Sequence, residues 1–403
     1  MVTSAWDLFD ASVSFLLGFF LSLSIARKFG LSKKYCAFIY LWHTAFCVFY
    51  CWYVLSYGGD AIGYYRRATS GSLDLGIGTA GVDLLTAVFA RALGMSFWGT
   101  SLIFNIFGSI GLIAFAGSLK VIAQTRSLRP RWLGVVIIFL PSVSFWSSAI
   151  GKDSLAFMSV GLMLWAAQQL TKSVALQVLA VAIMMLVRPH IALLMIASVA
   201  IALGLQRGVS PLKRTFIFGL SMIAAIALLP LVLNYAGVGG GGDVDAIMDY
   251  VDQRQAQNME GGASVDISSM SLPAKFFTYA FRPTVLEARS VFALAASVDN
   301  LILLYLFLIG GWKLVIGRRA MMPHDRIFLI SYAFTAWMIL ALTTANLGIA
   351  IRQKWMFVPM LIVLFLSVLG RQRVGASYYR SRQLINASLE PVSESTGRSQ
   401  RPS

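Results

Sequence analysis

The stretch ASVSFLLGFFLSLSIARKFGLSKKY, Ala11 to Tyr35, decides the class of this chain. Its first sixteen residues carry no charge, and Arg27, Lys28, Lys33 and Lys34 then follow within eight positions. An α-helix rises about 1.5 Å per residue, so roughly 20 apolar residues cross the ~30 Å hydrocarbon layer. Cations gathered just beyond such a span mark its cytoplasmic end. Upstream, the first ten residues hold no Lys or Arg but include Asp7 and Asp10. That predicts a translocated N-terminus followed by a retained anchor, not a cleaved signal.

Working outward, apolar spans recur as far as residue 369. The sequence predicts eleven: residues 11–26, 35–57, 97–119, 132–150, 154–170, a tight hairpin of two around Arg188-Pro189-His190, then 215–235, 301–316, 327–344 and 355–369. With the N-terminus outside, the cytoplasmic segments hold 22 Lys/Arg against 3 Asp/Glu, and the outer segments 11 against 14. The chain is 58% hydrophobic and 12% charged, which excludes an ordinary soluble domain. Its net charge of +16 comes mostly from short inner loops and the tail. There it orients the protein and meets anionic headgroups, so no nucleic-acid partner is expected.

The predicted fold is an all-α polytopic transmembrane helical bundle of about 11 spans, with the N-terminus outside and the C-terminus cytoplasmic. Residues 1–370 form the bundle, including outer loops 58–96 and 236–297, and residues 371–403 a polar, disordered tail. Gly237 and Gly239–Gly242 open the long outer loop as a flexible linker, and its later part, residues 272–294, is expected to pack on the membrane surface. Cys36, Cys47 and Cys51 read as small lipid- or helix-facing residues, not metal ligands.

Orientation rules leave a set of charged residues on the outer face unexplained. Only 15 residues separate Lys172 from Arg188, a reach of roughly 22 Å, so the Arg-Pro-His corner lies below the outer surface. Arg188 and His190 are then either an interfacial arginine with a satisfied turn histidine or an anion site for a lipid-linked phosphate. Lys152 stands at an outward helix N-terminus where the dipole disfavours a cation, and a bound phosphate relieves that conflict. Asp153 suits an N-cap there. Phe145 and Trp146 read as interface aromatics, and the nearby serines, Ser142, Ser144, Ser147 and Ser148, either contact substrate or bond back to carbonyls freed by Pro141.

Asp60, in the segment GGDAIGYYRR, is a candidate general base, with His190 and Asp153 behind it. Tyr64 and Tyr65 suit sugar stacking, and Arg66 and Arg67 suit phosphate; an ordinary solvated loop with belt tyrosines is the competing reading. Arg352 and Lys354, at the mouth of the last span, and Arg282, with Glu287 nearby, complete the candidate substrate-binding set. Asp243-Val244-Asp245 is similar to a short divalent-metal motif of nucleotide-sugar transferases, but a solvated loop explains it equally, and no metal is assigned. The absence of a Walker loop, GxSxG, HExxH or CxxC removes support for ATP-driven transport and serine hydrolysis, and no cofactor is expected.

Five segments carry a family resemblance: GGDAIGYY at Asp60, PSVSFWSSAIGKDSLAF around Lys152, VRPH at Arg188, FRPTVLEAR at Arg282, and NLGIAIRQKWMFVP at Arg352. In these the chain resembles bacterial Wzy-like oligosaccharide polymerases of exopolysaccharide and O-antigen assembly, and related polytopic membrane glycosyltransferases. The resemblance implies an inner-membrane enzyme, with polyprenyl-diphosphate-linked glycans as substrate and membrane lipids and other polysaccharide assembly proteins as partners. Cations would stabilise the departing diphosphate while a carboxylate or histidine takes the acceptor proton. Lys354 stands where the family pattern has a second arginine, which keeps a phosphate contact but loses bidentate geometry. A flippase for the same lipid-linked glycans and a non-catalytic assembly partner are the rival readings. The near absence of ionisable residues in the middle of the spans favours chemistry at one face.

Overall fold

The computed structural model describes residues 4–124, 128–170, 172–205, 264–267, 269–316 and 326–369, with isolated positions between 212 and 255. The predicted eighth span (apart from isolated positions), Asp243 and Asp245 and the tail lie outside the described residues. Among those described, every regular element is helical, and the only β contact is an isolated bridge between Ser264 and Asn346.

In chain order the α-helices are α1 (Ala5–Ile25), α2 (Lys33–Tyr57), α3 (Asp60–Ser70), α4 (Thr79–Ala87), α5 (Phe97–Gln124), α6 (Leu128–Ile138), α7 (Pro141–Trp146) and α8 (Lys152–Ala166). They continue with α9 (Val174–Val187), α10 (Pro189–Leu205), α11 (Leu272–Phe281), α12 (Val291–Val315), α13 (Arg326–Thr343), α14 (Leu347–Gln353) and α15 (Val358–Val368). Five of them, α1, α2, α5, α12 and α13, are long and apolar enough to cross a membrane. The segments Leu347–Met356 and Val358–Val368, bent by 60° at their junction, make a sixth if counted together. Shorter apolar helices fill the rest: Pro130–Trp146, Val174–Val187 and Pro189–Leu205.

Local chemistry sets the helix ends. Ser4 and Asp7 form a capping box that starts α1, so Asp7 also has a local structural task. Gly58, at φ +85°, ends α2, a conformation that costs a side chain with a Cβ but not glycine. Pro141 and Pro189 each occupy the first helical position, where a missing N–H costs nothing. Ser147 and Ser148 donate to the carbonyls of Val143 and Phe145, which is the back-bonding alternative for those two serines.

The centre of the bundle is α5, with 89% of its most apolar window buried against 22% for α1. It packs on α1, α2 and α8. At the α5–α8 crossing a Cβ on Gly111 would sit 2.7 Å from the Phe157 carbonyl, and one on Gly161 would run into the backbone of Gly111. Only glycine permits this backbone approach, as in small-residue packing between membrane helices. Cys36, Cys47 and Cys51 are buried in the same core and face helices, not lipid. Asp10 accepts from the amide and the hydroxyl of Ser96, tying α1 to the start of α5.

Two polar clusters inside the helices depart from the sequence reading. His43 on α2 pairs with Asn105 on α5 at 2.5 Å and with Ser147 at 2.9 Å, and Asn105 donates to Thr44 at 2.8 Å. Helix α12 begins ten residues before the predicted ninth span. Asp299 and Asn300, which mimic loop residues in a hydropathy reading, lie buried within it. Partners reach them from elsewhere in the chain: the Ser142 amide donates to Asp299 Oδ2 at 2.7 Å, and Asn300 donates to the Pro283 carbonyl at 3.0 Å.

Candidate functional site: a cationic cavity at the helix tips

Helix tips meet at one end of the bundle. After Gly58 and Gly59, Asp60 is the first residue of α3, where a carboxylate complements the helix dipole. Lys152 and Asp153 open α8. Arg188 separates α9 from α10, its amide donating to Met184 while its carbonyl accepts from Ile191 and Ala192. Arg352 sits on the short α14, whose start is capped by the Asn346 side chain accepting from Gly348 and Ile349. The α3–α4 pair is fastened over this end by Gly78 N–H donating to the Leu186 carbonyl at 2.7 Å, two residues before Arg188.

These tips enclose a cavity of about 630 Å³, lined by Asp60, Tyr64, Arg66, Arg67, Lys152, Arg188, His190 and Arg352 among others. Two ion pairs organise it. Arg188 donates to Asp153 at 2.8 Å, with side chains only 9% and 16% exposed, and Arg352 donates to Asp60 at 2.7 Å. Arg352 Nε also lies 3.7 Å from the second oxygen of Asp153, which links the pairs into one row. Asp153 is thus the second residue of α8 with its carboxylate spent on arginines; the expected N-cap role falls to Gly151.

Charge is the main property of the cavity. Five cations line it, with Asp60 as the one lining carboxylate. Asp153 contacts two of the cations as described, and Asp83 takes a bidentate pair from Arg67 at 2.9 and 3.1 Å. Five cations converging on a concave site, where field lines concentrate, make its lining predominantly basic. The Arg67 guanidinium also covers the Tyr64 ring at 5.0 Å. Burial pushes the Tyr64 hydroxyl up to about 12, so it is a neutral donor.

The sequence candidates divide cleanly. Asp60, Tyr64, Arg66, Lys152, Arg188, His190 and Arg352 line one cavity, with Asp153 against its two arginines. Tyr65 turns away and donates its hydroxyl to the Met95 carbonyl at 2.9 Å. Lys354, 1% exposed, is buried and donates to Asn300, so it holds α14 against α12 and does not face the cavity. Arg282 pairs with Glu287 at 2.6 Å, and both line a different cavity. That pairing holds the Glu287 carboxyl below its usual range.

Phe145 and Trp146, read from the sequence as interface aromatics, pack with Tyr50 and Tyr53, and Arg352 lies over the Trp146 ring at 5.9 Å. Tyr50, never singled out in sequence, packs edge-on against the Trp146 ring at 6.2 Å. No protein-family model, curated protein or solved structure matches the chain.

Proposed function

We propose that the protein transfers or polymerises glycan units carried on a polyprenyl diphosphate, at the outer face of the cytoplasmic membrane. The observation that carries this reading is the convergence of Lys152, Arg188 and Arg352, from three distant parts of the chain, on one cavity lined by five cations and the carboxylate of Asp60. Lys152 at the start of α8 and Arg188 just before α10 stand at helix N-termini, and with Arg352 such an array suits a pyrophosphate. The proposed setting is a bundle of about eleven spans with the N-terminus outside. At the other end of the bundle Lys120 donates to the Gly30 carbonyl, among the basic loops that orientation rules assign to the cytoplasm, which supports this topology.

In the proposed step, an acceptor hydroxyl oxygen bonds to the anomeric carbon of the donor glycan as the bond from that carbon to the pyrophosphate oxygen breaks. The electron pair leaves with the pyrophosphate lipid, whose charge Lys152, Arg188 and Arg352 stabilise. Asp60, more than half exposed at the rim with Oδ2 engaged by Arg352, takes the acceptor proton, or His190, which lines the same cavity, does so. Asp153 serves as a positioning residue for the two guanidiniums.

The test is surface polysaccharide from strains carrying Arg188→Ala or Arg352→Ala, with membrane insertion and abundance checked alongside. Polymer should vanish while single lipid-linked units accumulate outside. Polymer of normal length from both variants would overturn the proposal, and accumulation inside would favour a flippase.

A further inference from the structure

A second cavity, of about 900 Å³, lies behind Trp146. The two share a wall: Trp146 and Ile351 line the second, while Arg352, stacked over Trp146, lines the first. The second cavity has a different character. Phe46, Phe49, Tyr53, Phe145, Trp146 and Phe292 supply aromatic surface, with Phe292 reaching 4.7 Å from Tyr53 and 5.9 Å from Phe49, centroid to centroid. Phe49 and Phe292 are 40% and 39% exposed, so this wall belongs to the perimeter of the bundle. It is formed by α2 and α12, two helices fit to cross a membrane, and Val291, Leu294 and Val298 continue the exposed apolar face on α12. Arg282, Glu287 and Arg289 also line the cavity. Arg282 is neutralised by Glu287, and among the described residues no carboxylate pairs with Arg289, which leaves one surplus positive charge.

An apolar aromatic hollow on the lipid-facing perimeter, carrying a surplus cation and sharing a wall with an anion cavity, matches an amphiphile better than a soluble anion. We propose that this second cavity binds the head-proximal part of a long isoprenoid chain ending in phosphate. Arg289 meets the phosphate end and the Phe49–Phe292 wall packs the chain. This assignment deepens, and rests on, the reading of the first cavity as a pyrophosphate-lipid site. It also gives the Arg282 segment a task of its own, away from the reacting centre.

The experiment is equilibrium binding of radiolabelled C55 polyprenyl phosphate, and separately of inorganic pyrophosphate, to the purified full-length protein in detergent. Arg289→Glu and Phe292→Asp should each weaken polyprenyl phosphate binding by about tenfold or more, the scale of one lost charge-assisted contact, and leave pyrophosphate binding unchanged. Unaltered lipid binding in Arg289→Glu would overturn the proposal, and so would equal displacement by phosphatidylglycerol. Should Phe292→Asp fail to fold, Arg289→Glu alone decides, because its side chain is exposed. Arg352→Ala separates the two readings: pyrophosphate binding that survives it removes the proposed function, whereas the Arg289 result speaks only to the second cavity.

Discussion

Arg352 donates a 2.7 Å hydrogen bond to Asp60 across 292 positions of sequence, closing the last apolar segments onto the start of α3. The pair sits at the rim, with Asp60 59% exposed, so its own contribution to stability is at most about 1 kcal/mol. Its importance lies in aim, because it fixes where a guanidinium and a carboxylate stand relative to each other. Asp60→Asn should therefore leave the melting temperature within a few degrees of wild type while lowering polymer output by about tenfold or more. Measuring both on one preparation checks this, and unchanged output would assign the proton to His190.

The Arg188–Asp153 pair behaves differently because it is largely buried. Arg188→Ala leaves Asp153 with only the longer Arg352 contact, and breaking such a pair costs about 3–5 kcal/mol. Asp153→Asn, which keeps shape and one acceptor, should cost less stability than Arg188→Ala. Thermal unfolding of both variants in detergent gives the ranking.

Lys354→Ala discriminates a structural lysine from a substrate contact. Its ammonium is buried against Asn300, so truncation leaves Asn300 Oδ1 without its donor. A loss of stability of about 1–3 kcal/mol is expected, with the apparent affinity for a lipid-linked substrate unchanged in the protein that remains folded. A raised KM at full stability would return Lys354 to the binding site.

Tyr64 sets an expectation for alkaline pH. Burial raises its hydroxyl from 10.0 to about 12, so the fold favours the neutral phenol. That contribution is complete below pH 10 and is lost as the pH rises toward 12. The pH–activity profile should show no tyrosine limb below pH 10, and Tyr64→Phe should leave its shape intact. A limb that disappears in Tyr64→Phe would mean a solvated, titrating phenol.

Gly161→Leu places a side chain where the backbone of Gly111 already stands. Overpacking of this kind costs about 1–3 kcal/mol and more where backbone must move. Reduced accumulation and a lower melting temperature are expected, against near-wild-type behaviour for a leucine at Gly311, which has open space around its Cβ position.

Hydropathy alone delivered the long helices, because a span of apolar residues bounded by cations such as Arg27 and Lys28 needs no tertiary information. It failed where tertiary contacts satisfy polarity: Asp299 and Asn300 read as loop and are helix, since Ser142, Lys354 and Pro283 supply their partners from elsewhere in the chain. The cavity was legible as a group of outer-face charges whose orientation needed explaining, and Lys152, Arg188 and Arg352 do share it. Which cations face it was not legible, because Arg352 and Lys354 lie two residues apart on one turn and point to different surroundings. Nor was Trp146, whose position beneath Arg352 depends on the close packing of α7 and α14.

The glycine crossing of α5 and α8 has a consequence for how such a protein can vary. Two backbones in direct touch leave no adjustable side chains between them, so the crossing acts as a fixed hub from which the Lys152–Asp153 tip projects. Changes at that tip act on the cavity and its ion pairs, not on the backbone contact of the hub. Selectivity can therefore drift through surface chemistry at the helix tips while the frame beneath stays unaltered.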